Sequence, residues 1–514
     1  MPFSSPLRRT ALLGVLCQAA FVSVASAQEQ ADRYRITRDA DAAKEPQSGR
    51  LILFFVREEP GSRRGARPIN GPFFGNPQPI ASMAVSDWAP GTTIEFKDEV
   101  SWPVPLSKLD GGYRVQALFD SDFTQRNHTA GPGNAFSESI PIKVSDEKSE
   151  TIDLELTESI PPFKLPAGTE RIRFVEFRSD SLSEHYGREI RHRAGVVLPE
   201  AWSKETTKTW PTVYVIPGYG GRHTGALGYR RRLNRLLPAV YVILDPESPL
   251  GHHGFVDTEN HGPRGTALVR EFIPWLEKEF RLKQEVGARV VTGHSSGGWS
   301  SLWLQLQHPD VFGACFSSAP DPVDFRAFGT VNLYEATNLF ETQEGEDQPS
   351  FRTGVGSNER VRMTVRQETG MELAIHPDGG SGQQWDAWEA MFSPRDKATG
   401  LPRAMFDSKS GEIDKSVVEH WKTFDIGRLV RRDWERFGKV LDQRVRLMVG
   451  DADSFYLERA VHLLKEEVGR HDHSGDGYIE IVPGADHGTI SMHTRTRWSQ
   501  EMTVFFGLQK DAAN

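Results

Sequence analysis

The chain has 514 residues, more than one ordinary domain needs, so two domains are the first expectation. Apolar residues make up 38% of the chain and charged residues 25%, a balance typical of globular proteins. The formal charge of −9 leaves no excess of basic residues of the kind that binds nucleic acid, so we expect no nucleic-acid partner.

Residues 1–27 have the pattern of a secretory signal peptide. A basic Arg8-Arg9 pair precedes a mostly apolar run, and Ala25-Ser26-Ala27 matches a cleavage site, so the mature chain is expected to begin at Gln28. The apolar run is too short to cross a bilayer, and no integral membrane span is expected. Cleavage would leave Cys315 as the one cysteine, which predicts an exported bacterial protein without disulfides, periplasmic or extracellular.

Residues 28–160 predict a small all-β sandwich, which we expect to be antiparallel, with a flexible lead-in over 28–49. Apolar or alternating segments separated by turn residues predict strands at 51–56, 92–96, 113–119, 140–144 and 152–156. A stretch with three prolines and a glycine cannot belong to a sheet or a helix, so we place a linker at 161–169.

Residues 170–510 alternate strands with helices, which predicts an α/β fold with a largely parallel sheet. The predicted strands are 172–177, 194–198, 213–216, 240–244, 288–291, 313–317, 445–449 and 478–482. Residues 266–280 predict a helix with one apolar face. The segment 322–430 does not fit this alternation, and we expect a long, lid-like insertion that roofs the functional site.

A nucleophile elbow is predicted around Ser295. A mostly apolar run leads into Gly293-His294-Ser295-Ser296-Gly297, and an apolar helical segment follows, which is the strand, sharp turn and helix of the G-x-S-x-G motif. The two glycines are expected because the turn has no room for side chains beside the nucleophile. Ser295 is therefore the predicted catalytic nucleophile.

A serine hydroxyl needs a base and an orienting carboxylate, which this type of site presents in the chain order Ser, Asp, His. His487 follows the last predicted strand, and Asp451 and Asp453 follow the strand before it. Both loops are at the carboxyl ends of strands, where an α/β sheet keeps its site. We predict His487 as the base and favour Asp453 over Asp451 as the acid, with Asp451 shaping the loop.

The tetrahedral intermediate also needs hydrogen-bond donors for its oxyanion. The backbone N–H of Ser296, next to the nucleophile, is one predicted donor. The glycine-rich turn after the strand at 213–216 is expected to supply the other, with Tyr219 as first choice and Gly220 as second.

Four residues are candidates for contact with the substrate: Gly220, His294, Trp385 and Trp388. The two tryptophans belong to the insertion, and the sequence equally allows them to line the site or to hold the insertion together.

No metal or other cofactor is expected. The segment 472–480 resembles part of an EF-hand loop, but Pro483 stands where the bidentate glutamate belongs, so a polar turn is favoured over a calcium site. His252, His253 and His261 lack carboxylate or thiol partners at ligand spacing, and we interpret their segment as a loop beside the site.

The part of the chain at 170–510, apart from the insertion, resembles the esterase D, feruloyl esterase and enterochelin esterase group of α/β-hydrolases. The stretches that carry the resemblance are 186–188, 194–199, 215–221, 262–265, 293–298 and 486–488. The resemblance implies an α/β-hydrolase fold and ester hydrolysis by the residues named above. Pro217 replaces the histidine that often precedes the oxyanion glycine, although a backbone donor needs no side chain. The N-terminal sandwich is similar to accessory β domains found before some of these esterases.

We therefore expect an exported serine carboxylic-ester hydrolase that acts through an acyl-enzyme on acyl or feruloyl-type esters of carbohydrates. Two alternatives stay open: a hydrolase of siderophores or other small esters, and a catalytically silent carbohydrate-binding protein on the same fold. The complete Ser, Asp and His set argues against the silent protein, because binding alone does not need all three.

Overall fold

The computed structural model describes residues 33–40, 45–58, 67–71, 75–144, 150–377 and 379–508. The predicted signal peptide at 1–27 and the predicted start at Gln28 lie outside these ranges. Within them, no helix is both long and apolar enough to cross a membrane.

Residues 33–159 form two β-sheets that share one apolar core. Their strands are β1 (Arg33–Arg38), β2 (Gln47–Arg57), β3 (Ile80–Trp88), β4 (Thr93–Glu95), β5 (Val100–Trp102), β6 (Gly111–Asp120), β7 (Ala135–Phe136), β8 (Ile140–Val144), β9 (Thr151–Leu156) and β10 (Glu158–Ser159). One sheet has the order β4-β1-β9. The other has the order β10-β7-β6-β2-β3-β5, with β8 also paired to β6. We call this region the β-sandwich.

Two expectations for the β-sandwich were wrong. The lead-in at 28–49 contains β1, because Tyr34 and Ile36 alternate with polar residues and bury their side chains in the core. The sandwich is also not purely antiparallel, because β1 pairs with β9 in parallel. Two strands so far apart in the chain can pair in parallel, since the chain between them is long enough to return.

The remaining strands follow the stretch 160–170, which contains neither helix nor strand. They are β11 (Ile172–Ser179), β12 (Ile190–Val197), β13 (Thr212–Ile216), β14 (Val240–Leu244), β15 (Glu247–Ser248), β16 (Gly251–His252), β17 (Asp257–Thr258), β18 (Gly262–Pro263), β19 (Arg289–His294), β20 (Ala314–Ser318), β21 (Pro349–Thr353), β22 (Arg360–Thr364), β23 (Val445–Gly450) and β24 (Tyr478–Val482). Eight of them form one sheet in the order β11-β12-β14-β13-β19-β20-β23-β24, parallel from β14 to β24.

The α-helices are α1 (Asp180–Tyr186), α2 (Arg264–Ala267), α3 (Ile273–Phe280), α4 (Ser296–Gln307), α5 (Val365–Ile375), α6 (Gln384–Phe392), α7 (Lys415–Trp421), α8 (Ile426–Arg432), α9 (Lys439–Arg444), α10 (Glu458–Val468) and α11 (Ile490–Phe505). The helix predicted at 266–280 contains a π-helical turn, Leu268–Phe272, between α2 and α3. Pro274 is the second residue after that turn, and proline has no N–H for the regular helical ladder.

The mostly parallel sheet with a turn and helix after its central strand β19 has the features of the predicted α/β-hydrolase fold. The predicted insertion falls between β20 and β23. Its helix α5 packs against β3 and β5 of the β-sandwich, where Met371 and Ile375 join the apolar side chains of that face. The insertion therefore lies between the β-sandwich and the carboxyl edge of the large sheet.

Candidate active site

Ser295 occupies the turn between β19 and α4 in a backbone conformation that residues other than glycine rarely adopt, with φ +59° and ψ −129°. Its N–H donates to the Ser318 carbonyl, and its own carbonyl accepts from the Trp299 N–H, both over 3.0 Å. A Cβ on Gly293 would lie 2.1 Å from the carbonyl oxygen of Gly297, so glycine is required there. The turn has the geometry predicted for a nucleophile elbow.

The imidazole and the acid come from loops after adjacent strands. His487 follows β24, and its Nδ1 lies 2.7 Å from Oδ2 of Asp453, which follows β23. The Asp453 side chain is fully buried, and its other carboxylate oxygen accepts the Phe455 N–H over 2.9 Å. Asp451 instead accepts the Gly484 N–H over 2.7 Å, so it shapes the loop. The structure thus pairs Asp453, rather than Asp451, with His487.

The surroundings of His487 raise the pKa of its imidazole. Burial alone would lower that pKa, but the charge of Asp453 and the hydrogen bond to it outweigh burial, with smaller contributions from Asp321 and Asp486. Because Nδ1 faces the carboxylate, Nε2 is the nitrogen left for proton exchange. The arrangement suits a base that takes a proton and holds the resulting charge.

Ser295 and His487 line one open cavity of about 510 Å³, which we call the cleft. The turn after β13 forms part of its wall, since Ile216 is in register with Gly293 on the neighbouring strand. A Cβ on Gly218 would lie 3.2 Å from Cβ of Ser295, so this turn passes directly beside the nucleophile.

The predicted oxyanion donors are the N–H group of Tyr219, in the turn after β13, and the N–H group of Ser296, next to the nucleophile. Within the described residues, no hydrogen bond uses the backbone N–H of Tyr219 or of Ser296. Gly220, with φ +73°, occupies the exposed tip of the turn, and Gly218 and Gly221 border the cleft in its place. The second-choice donor and substrate contact, Gly220, is therefore less well placed than Tyr219.

His294 also lines the cleft. Its ring centroid lies 4.5 Å from that of His487, and its Nδ1 lies 3.2 Å from Oγ of Ser318. Burial lowers the pKa of His294 to about 4, with His487 acting in the same direction. His294 is thus an uncharged neighbour of the base at neutral pH.

A second cavity, of about 60 Å³, opens beside Ser295, and we call it the narrow pocket. Trp385 and Trp388 line it together with Phe328 and Phe455. The two tryptophans also pack on Phe328, with ring centroids 5.7 and 4.8 Å away. Both uses that the sequence allowed for these tryptophans occur together.

Asp321 connects the narrow pocket to the elbow and was missed in the sequence. The Ser296 hydroxyl donates to its Oδ2 over 2.7 Å, and Nε1 of Trp388 donates to the same oxygen over 2.8 Å. Burial raises the pKa of Asp321, although both hydrogen bonds oppose this effect. Asp321 lies shortly after β20, at the carboxyl edge of the sheet, and that position is the signal that could have identified it.

Two glutamates of α5 face the site. Glu368 lines both the cleft and the narrow pocket, and burial raises its pKa to about 7. Glu372, one turn later, accepts the N–H groups of Trp385 and Asp386 over 3.0 and 3.1 Å, so it caps the start of α6. The wall opposite the triad therefore carries polar groups that can meet a hydroxyl.

Two further residues support the catalytic loops. Arg352, on β21 in the insertion, donates to the Asp453 carbonyl over 2.8 Å. His252 places Nε2 3.0 Å from the Pro217 carbonyl, in the turn 217–221 that carries the predicted oxyanion donor Tyr219 and that we call the oxyanion turn, and burial lowers the pKa of His252 to about 4. Neither has a local sequence motif, because each acts on a segment distant in the chain.

The EF-hand-like segment 472–480 is hydrogen-bonded to a residue outside it. Asp442 accepts hydrogen bonds from Nδ1 of His473 over 2.8 Å and from the N–H groups of Ser474 and Gly475. These bonds hold the EF-hand-like segment in a turn against Asp442. Across the described ranges, no three His, Cys, Asp or Glu side chains are grouped so that they could hold a metal ion.

Comparison with known proteins identifies the family. A family model described as "Putative esterase" matches residues 183–507, more than half of the chain. The chain belongs to this family. Esterase Rv1288 and Esterase MT1326, from two strains of Mycobacterium tuberculosis, are each 24% identical to it over 269 residues. That match covers 47% of this chain and 56% of either relative, so this member of the family spans about half the length of the curated proteins it matches.

Solved structures of related shape include esterases. A ferulic acid esterase is 16% identical, with a TM-score of 0.39, and the match covers 66% of this chain and 99% of that one. An S-formylglutathione hydrolase from Agrobacterium tumefaciens is also 16% identical, with a TM-score of 0.37, covering 64% of this family member and 95% of the hydrolase.

Proposed function

We propose that this family member is a serine carboxylic-ester hydrolase acting through Ser295, His487 and Asp453. One observation carries the proposal: an elbow serine shares a cleft with an imidazole that is hydrogen-bonded to a fully buried carboxylate. Serine in this setting is activated by transfer of its proton to the imidazole.

The reaction proceeds in two balanced halves. Oγ of Ser295 attacks the ester carbonyl carbon while Nε2 of His487 takes the hydroxyl proton, and the N–H groups of Tyr219 and Ser296 stabilise the oxyanion. Collapse breaks the bond to the alcohol, which leaves with the proton from His487. Water then attacks the acyl-enzyme by the same route and releases the acid and free Ser295. No cofactor enters these steps.

The two cavities support an assignment of the two sides of the ester. The alcohol must lie where His487 can protonate it, which is the cleft, so the narrow pocket receives the acyl group. At about 60 Å³ the narrow pocket is far smaller than the roughly 150 Å³ cavity that binds benzene. We therefore favour a short acyl group such as acetyl, and a feruloyl group would have to extend into the cleft.

The cleft has room for an alcohol that offers an apolar face as well as hydroxyl groups, such as a carbohydrate. Most of its exposed wall is apolar, and Glu368, Glu372, Gln383 and Gln384 add a few acceptors and donors that can meet hydroxyl groups. At about 510 Å³ the cleft falls in the range usual for small-molecule sites. An exported enzyme would meet such esters outside the cytoplasm, so we retain export through residues 1–27 as part of the proposal.

The test is hydrolysis of p-nitrophenyl acetate and methyl ferulate by the mature protein, beside Ser295→Ala and His487→Ala. We expect both variants to fold, to lose turnover by about a thousandfold or more, and to lose rapid labelling by a fluorophosphonate, because that reaction needs Ser295 and the base that activates it. When the acyl groups are compared with the same leaving group, we also expect p-nitrophenyl acetate to be preferred over p-nitrophenyl ferulate. Wild-type protein that neither turns over an ester nor takes up the fluorophosphonate would overturn the proposal.

A further inference from the structure

One residue of the β-sandwich reaches the oxyanion turn. Arg126 lies in the loop 121–134 between β6 and β7, and its Nη1 donates to the hydroxyl of Tyr219 over 2.8 Å. Its guanidinium carbon lies 4.7 Å from the centre of the Tyr219 ring. The side chain that touches the predicted oxyanion residue thus belongs to the β-sandwich, outside the stretch that matches the esterase family.

The loop that carries Arg126 is fixed to the β-sandwich. Asn134 accepts the N–H groups of Ser121 and Asp122 over 2.9 and 3.0 Å, which closes the loop at its base. His128 stacks on Phe54 with ring centroids 4.9 Å apart. A residue held in this way can fix the position of its partner, because its own position is set by a folded core.

The side chain of Arg126 is also held by partners outside the β-sandwich. Its Nε donates to Glu247 over 2.9 Å, and the side chains of the pair are only 10% and 5% exposed. The aliphatic part of the Arg126 side chain packs against Gly382 of the insertion, where an added Cβ would lie 2.4 Å from Cγ of Arg126. Tyr219 in turn donates to Oε1 of Gln383 over 2.8 Å. The β-sandwich, the oxyanion turn and the insertion therefore meet at one buried polar junction.

We propose that Arg126 is a positioning residue for the oxyanion turn, so that the β-sandwich and the esterase region form one catalytic unit. This inference rests on the proposed function. The hydroxyl of Tyr219 is held from two sides, which fixes the ring and therefore the direction of the Tyr219 backbone N–H. A misaligned donor costs stabilisation that is made mainly in the transition state, so the loss falls on kcat more than on KM.

The test uses variants that separate alignment from folding. Arg126→Gln alone leaves the buried Glu247 without its partner, so it is combined with Glu247→Gln. Tyr219→Phe keeps the ring and the backbone N–H but removes the hydroxyl that Arg126 holds. Arg114→Gln is the matched control, since Arg114 is also an arginine of the β-sandwich but donates to Ser139 within it.

We expect Tyr219→Phe and the Arg126→Gln/Glu247→Gln pair each to lower kcat on p-nitrophenyl acetate about ten- to hundredfold. KM should stay within about threefold, and the rate of fluorophosphonate labelling should fall with kcat. The triple variant should lose little more than either, because all three changes break one contact, and the control should match wild type.

Three outcomes would overturn the inference while leaving the proposed function intact. They are unchanged kcat in the paired variant, fully additive losses in the triple variant, and a loss confined to KM or to the melting temperature. Wild-type protein without turnover or labelling would instead remove the proposed function, and the inference with it.

Discussion

The elbow and the insertion are held in place by different kinds of interaction. The elbow fixes Ser295 by backbone hydrogen bonds, to Trp299 in α4 and to Ser318 on the neighbouring strand, and by two glycines that admit close contact. The insertion is built around buried carboxyl groups, and burial raises the pKa of Glu368, Glu372, Asp386 and Glu389. The contrast teaches that the chemistry depends on short turns, whereas the shape of the site depends on distant side chains whose carboxyl groups bind protons more tightly because they are buried.

The largest effect should come from the buried acid that is hydrogen-bonded to His487. We expect Asp453→Asn to lower kcat by about 10³- to 10⁴-fold, because the amide no longer holds His487 in the required tautomer. Asp451→Asn, in the same loop, should stay within about threefold of wild type. Both are measured as steady-state hydrolysis of p-nitrophenyl acetate, and equal losses in the two variants would contradict the assignment.

The next effect concerns the insertion as the wall of the narrow pocket. Trp388→Ala should raise the ratio of p-nitrophenyl butyrate to acetate hydrolysis by about fiftyfold, since removing the indole makes room for two more methylenes. Trp434→Ala is the control, because Trp434 stacks on His471 and lines neither the cleft nor the narrow pocket. An unchanged ratio in Trp388→Ala would mean that the acyl group lies elsewhere.

A smaller effect, on stability, should distinguish the insertion's buried acids from the triad. The pKa of Glu368 is about 7 in the folded protein, against 4.5 for the exposed group, so the folded state binds its proton more tightly. The stability that the folded state gains from binding this proton is complete below pH 4.5 and is lost as the pH rises through about 7. The free energy of unfolding of the wild type should therefore fall between those two pH values, and Glu368→Gln should reduce that fall by about 2 kcal/mol.

That slope is measured by urea unfolding at several pH values. Glu344→Gln, at an exposed glutamate of the same insertion, should leave it unchanged. A wild-type slope retained in Glu368→Gln would show that other groups bind the proton.

The smallest effect tests the triad against the insertion in the pH profile of kcat/KM. Because Asp453 raises the pKa of His487 above 6.5, activity should fall about tenfold per pH unit from a point above 6.5 as the pH decreases. Glu368→Gln should leave this acid limb in place. A limb that moved with Glu368 would assign the titration to the insertion instead.

The sequence predicted those parts of the site whose physics is local. A strand, two glycines and a serine are sufficient to define the turn at Ser295, and the loops after β23 and β24 put Asp453 and His487 at the same edge because parallel strands share their carboxyl ends. The alternation of strands and helices likewise predicted the large sheet.

Arg126, His252 and Arg352 could not be found in this way. Each acts on a segment far along the chain, and an arginine beside a distant carbonyl or hydroxyl leaves no local pattern. β1 was missed for a related reason. Its six residues contain only two buried apolar side chains, and its place is fixed by β9, more than a hundred residues later.

The packing of α5 on the β-sandwich has a consequence for biosynthesis. Ile52, Phe54 and Ile80 form part of an apolar surface that is covered by Met371 and Ile375 of α5. Synthesis proceeds from the N-terminus, so this surface stays open to water until residues 365–375 have been made and folded back. During that interval the nascent β-sandwich exposes an aggregation-prone apolar face next to strand edges. A chaperone that shields this face would raise the yield of folded protein.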